Sequence, residues 1–74
     1  MRKKKYLLVN IFGSHGYSFM IYGNYDEFHE SEIIDACLAH NLFQDEEDVN
    51  YCSIVEADDN DVKAFLSVSA IYDI

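Results

Sequence analysis

Proline is absent from the 74 residues, and the three glycines, Gly13, Gly16 and Gly23, all lie in the first third. With no linker, internal repeat or low-complexity tract to divide it, a chain of this length forms one small domain. Basic residues are scarce and unevenly placed. Four of the five are Arg2, Lys3, Lys4 and Lys5; from Tyr6 onward 14 acids stand against one base, Lys63, a net charge of −13. That imbalance excludes a phosphate-tracking surface and an anionic-membrane surface, and it favours basic partners. The expected organisation is a basic start over residues 1–5 that leads into the first strand, then a single acidic domain over 6–74. The basic start reads as a solubilising segment that keeps the edge of that strand from pairing further.

No apolar run approaches the roughly eighteen residues of a membrane span. The stretch "YLLVNIF" is short, is interrupted by Asn10 and is not followed by a small-residue cleavage site, so a cytoplasmic protein is expected. There are only two cysteines, Cys37 and Cys52, with no C-x-x-C pair, and in a reducing compartment they read as free thiols of the core. There is no nucleophile elbow, dinucleotide fingerprint or phosphate-cradling loop. "GSHG" is too short and lacks a following helix, so it is a turn. No cofactor and no enzymatic activity are expected.

The residues present define a fold. "KYLLVNIF" and "YSFMIYG", separated by "GSHG", form a hairpin with a four-residue loop. Leu7, Val9 and Ile11 share one face of the first strand, and Tyr6, Leu8, Asn10 and Phe12 the other. In the second strand Tyr17, Phe19 and Ile21 alternate with Ser18, Met20 and Tyr22. Neither face is cleanly polar, so both need cover, either from helices on each side or from another chain. Self-association is therefore part of the expectation. "ESEIIDACLAHNLF" carries a helix beginning at Glu30 or Ser31, with Ile33, Ile34, Cys37, Leu38 and Leu42 as its apolar stripe and Asn41 as a left-handed stop. "QDEED" is a charged loop or one helical turn. "VNYCSIVEA" reads as a third strand, apolar on both sides and hence central. In "DDNDVKAFLSVSAIYDI", Asp58, Asp59 or Asn60 caps a second helix carrying Val62, Phe65 and Leu66, and "SVSAIYDI" suits a short fourth strand or a continuation of that helix. The fold class is α+β in the order ββαβα(β), a sheet packed against helices.

Eight acids crowd into residues 45–61: Asp45, Glu46, Glu47, Asp48, Glu56, Asp58, Asp59 and Asp61. A calcium loop needs a central glycine and a distal glutamate, and neither acidic stretch supplies them. Convergence of Asp58, Asp59 and Asp61 on a hard cation is weaker than the simpler reading, in which Asp59 caps the helix and Asp58 and Asp61 favour its dipole. A zinc set of Cys37, His40, Cys52 and His29 would have to be gathered from separate elements. Cys37 fits the core stripe, His40 fits a helix C-terminus, and His15 fits an exposed turn. The residues therefore point to a non-enzymatic interaction protein. Its eight acids would meet a basic protein surface, such as that of a nucleic-acid-binding protein, without contacting nucleic acid itself. The competing readings are a small metal-binding domain and a domain that acts only within an oligomer. Tyr22, Tyr25 and Phe28, near the end of the second strand, are a candidate aromatic interface or else a satellite core.

Overall fold

The computed structural model describes residues 3–13, 16–26, 28–68 and 71–74. Arg2 of the basic start, His15 of the hairpin turn, and Ser69 and Ala70 of the last segment lie outside them. The element order is β1 (Lys5–Ile11), β2 (Tyr17–Gly23), α1 (Glu30–Ala39), a 3-10 helix (Glu46–Tyr51), β3 (Cys52–Glu56), α2 (Asp59–Ser67) and β4 (Ile71–Asp73). This is the α+β class read from the sequence, with the final strand formed.

The sheet order is β3-β1-β2-β4. β1 pairs antiparallel with β2, Leu7 opposite Ile21 and Val9 opposite Phe19. On its other side β1 pairs antiparallel with β3, Val9 opposite Ile54. β2 and β4 are parallel. It follows that β2, β3 and β4 all point the same way. Two helical crossovers connect them, β2–α1–β3 in one direction across the sheet and β3–α2–β4 in the other. One right-handed sense for both places α1 and α2 on opposite faces. Burial agrees. Leu7, Val9, Ile11, Phe19, Ile21 and Ile54 form a cluster with Ile33 and Cys37 of α1. Met20 points to the opposite face and is also fully buried, on the strand that α2 approaches. Helices thus supply the two-sided cover that the apolar strands required.

The end of α1 follows from its sequence. Asn41 takes a left-handed conformation, φ 57°. The Asn41 N–H donates to the Leu38 carbonyl at 3.1 Å and the Leu42 N–H to the Cys37 carbonyl at 3.0 Å. This paired closure stops the helix and turns Leu42 back against the core. At the other end His29 is the N-cap and forms no side-chain cap bond.

Three expectations are corrected. β3 is an edge strand, not a central one, and it starts at Cys52; Val49, Asn50 and Tyr51 belong to the preceding 3-10 helix. The apolar pattern misled because only Cys52 and Ile54 face the core, while Val55 on the other face stays 46% exposed. β1 lies inside the sheet, so the basic start has no β1 edge to protect. Instead the Lys4 ammonium pairs with Asp73 at 3.2 Å and sits 5.5 Å from the Tyr22 ring centroid. Finally, Asp58, not Asp59, caps α2.

Candidate functional site

The acidic residues enter the fold as two groups at the two ends of β3. Before it, Asp45 caps the 3-10 helix, accepting from the Glu47 N–H at 3.1 Å. Asp48 is half-buried, and its carboxylate accepts from the Tyr17 hydroxyl at 2.7 Å. The same hydroxyl accepts from the Gln44 N–H at 2.9 Å, so Tyr17 clamps both ends of this turn to β2. Burial pushes the Tyr17 phenol up; the Asp48 and Asp45 carboxylates push the same way and the Gln44 N–H opposes them. The hydroxyl is therefore held as a proton donor. The Phe12 N–H donates to the Tyr51 carbonyl at 2.7 Å, which continues the β1–β3 ladder past the end of the strand.

After β3 the chain is fixed as firmly. The Ala57 N–H donates to the Tyr6 carbonyl at 2.9 Å. The Asp58 carboxylate accepts from the Asp61 N–H at 2.8 Å, and the Asp61 carboxylate accepts from the Asp58 N–H at 3.3 Å. This reciprocal capping box starts α2 and leaves Asp59 exposed in its first turn. The eight acids thus divide by role. Asp45, Asp48, Asp58 and Asp61 build local structure, Asp45 and Asp58 while themselves exposed, whereas Glu46, Glu47, Glu56 and Asp59 are exposed without a capping or clamping role. The five-residue β3 runs between the two groups and ends on Glu56 itself, a span of about 13 Å at the usual rise per residue.

The three candidate aromatics do not form one cluster. Tyr22 packs against Tyr6 with the rings tilted by 33°, centroids 4.4 Å apart. Tyr25 packs against the main core instead. Phe28 is 83% exposed, presented by a turn in which its N–H donates to Asp26 at 3.0 Å.

The thiols are free, Cys37 buried and Cys52 half-buried. Burial, with Cys52 adding, pushes the Cys37 thiol up to about 11; burial followed by Glu30 raises Cys52. Two consequences are expected. In a colorimetric thiol assay at neutral pH, Cys37 should react only as the protein unfolds, with Cys52 the faster of the two. Equal, immediate labelling of both thiols in the native state would contradict this. Because the native state keeps Cys37 protonated where the unfolded chain ionises, stability should fall as the pH rises from about 9 to about 11. A Cys37→Ala variant should show a shallower alkaline decline.

Among the described residues, no group of three or more His, Cys, Asp or Glu is placed to hold a metal ion. Two surface cavities stand out among the described residues. One, of about 260 Å³, is lined by Leu38, Asn41, Phe43, Gln44, Asp45 and Glu46. The other, of about 380 Å³, is lined by Lys3, Lys4, Lys5, Tyr25, Asp26 and Glu56. No helix among the described residues is long and apolar enough to cross a membrane. No protein-family model, curated protein or solved structure matches the chain.

Sequence reasoning missed Tyr17 as the residue that holds the acidic turn. The available signal was a hydroxyl on the core-facing side of β2, where a polar atom requires a partner. It named Asp58 among the possible caps of α2 but missed the structural bonds of Asp45, Asp48 and Asp61.

Proposed function

We propose that this protein is a small, non-enzymatic interaction protein whose exposed carboxylates at the two ends of β3 meet a basic protein surface. One observation carries the reading. Glu46, Glu47, Glu56 and Asp59 are exposed on segments that other acids, Tyr17 and a capping box hold in fixed conformations. Charges on pinned segments can match a partner's charges without a large ordering cost. Four exposed acids are not required to fold a small domain, and their mutual repulsion opposes compactness. A nucleic-acid-binding protein is one class of partner with a suitably basic surface; direct contact with nucleic acid is disfavoured by the domain's own sign.

The test is a tagged pull-down at physiological and at high salt, comparing wild type with the combined variant Glu46→Gln, Glu47→Gln, Glu56→Gln and Asp59→Asn. The variant leaves every cap and the Tyr17 clamp in place, so it should fold normally. A basic protein retained by wild type should be released by salt and lost from the variant. Retention of the same protein by the variant at the same salt would sink the proposal.

A further inference from the structure

β3 is bonded along one side only. The hydrogen bonds that flank it fix which of its backbone groups remain open. The Phe12 N–H reaches the Tyr51 carbonyl, and the Ala57 N–H reaches the Tyr6 carbonyl. In an antiparallel ladder, alternate residues exchange both bonds with the neighbouring strand. Tyr51, Ser53, Val55 and Ala57 therefore turn their N–H and C=O groups toward β1, and Cys52, Ile54 and Glu56 turn theirs away from it. Among the described residues no backbone hydrogen bond is made to these three on that outer side.

Edge strands are usually protected by lysines, prolines or bulges. This one has none of them: the stretch from Asp45 to Val62 contains neither a base nor a proline. Instead it carries Glu56 itself, with Glu46 and Glu47 beyond one end and Asp59 beyond the other, all exposed. Such an edge discriminates between partners. If two copies paired antiparallel about Ile54, Glu56 of one copy would lie opposite Cys52 of the other, beside the other's Glu46–Asp48 turn. Like charges in those positions oppose pairing. A strand carrying lysine or arginine at its ends would meet opposite charges at both. Val55, 46% exposed, and Tyr51, 57% exposed, offer apolar contacts to its alternate side chains. β4, the other edge, is only three residues long, and its Asp73 is paired with Lys4.

We infer that the outer edge of β3 takes up an extended, lysine- or arginine-bearing segment of a partner protein as an added strand. This rests on the acidic-surface reading above and specifies how the partner is held. Main-chain bonds at Cys52, Ile54 and Glu56 supply the register, and the flanking carboxylates select the charge.

The experiment titrates the protein with a capped nonapeptide of alternating Lys and Val, and with a second peptide of equal charge in which Pro replaces Val. Residue-resolved amide exchange is followed at Cys52, Ile54 and Glu56. Binding of the Lys/Val peptide should protect these three amides, and the Pro peptide, which lacks every second N–H and whose fixed φ disfavours an added strand, should bind at least about tenfold more weakly. Glu56→Pro removes an outward N–H without touching the β1 ladder, so it should fold and should lose about tenfold in affinity relative to Glu56→Gln. Equal binding of the two peptides, or binding without protection of the three amides, overturns the strand mode and leaves the acidic-surface reading standing. If neither peptide binds while the pull-down retains a basic protein, the strand mode alone falls. If both assays are empty, the acidic-surface reading falls with it.

Discussion

Replacing Ile33 with alanine should cost about 2–5 kcal/mol, the range for truncating a large buried aliphatic residue where the surroundings cannot collapse. Ile33 is completely buried, in the cluster formed with Leu7, Val9, Ile21 and Ile54. It and Cys37 are the only buried residues of α1, so this one side chain carries much of the contact between helix and sheet. A domain of 74 residues has a total stability of roughly 4–11 kcal/mol on the usual per-residue scale. The substitution should therefore remove a large share of it, seen as a sharply lowered urea midpoint with a nearly unchanged slope. A midpoint shifted by less than the equivalent of about 1 kcal/mol would mean that α1 is not held by this contact.

The second large effect is expected at Gly23, the last residue of β2. It is buried and pairs with Lys5. A β-carbon there would lie 2.7 Å from the Ile74 carbonyl oxygen and 2.7 Å from the Tyr25 ring. Its φ is not positive, so space rather than backbone freedom calls for glycine. The Tyr25 ring could move aside, but the Ile74 carbonyl belongs to backbone whose N–H donates to the Tyr22 carbonyl at 3.1 Å. Gly23→Ala should therefore destabilise by about 1–3 kcal/mol, as overpacking does, and loosen β4 first. Thermal unfolding and exchange of the Ile74 amide would measure both effects. An unchanged melting temperature would show that the end of the sheet gives way freely.

Much of the fold was legible because it rests on local rules. The alternation in β1 and β2 sorted the side chains into their two faces, Asn41 marked the end of α1, and the run of aspartates marked the start of α2. The position of β3 was not legible. Five residues with apolar side chains on both faces suit a central strand as well as an edge strand whose second face is only partly covered. Strand order depends on crossovers between distant segments, which side-chain periodicity does not encode. The acids were harder still. An aspartate that caps and an aspartate left in solvent look alike in sequence, and only the bonds to Tyr17, Glu47 and Asp61 separate them.

That separation is the centre of the functional reading, and zero-length carbodiimide cross-linking of the protein to the basic partner it retains tests it most directly, because the reagent joins a carboxylate only to an amine in contact with it. The expected result is cross-links from Glu46, Glu47, Glu56 and Asp59 to lysines of the partner, lost when the same four residues are neutralised. Cross-links concentrated instead on Glu30, Glu32 and Asp35, the exposed acids of α1, would place the partner on another surface and contradict the assignment of the β3 ends as the binding site.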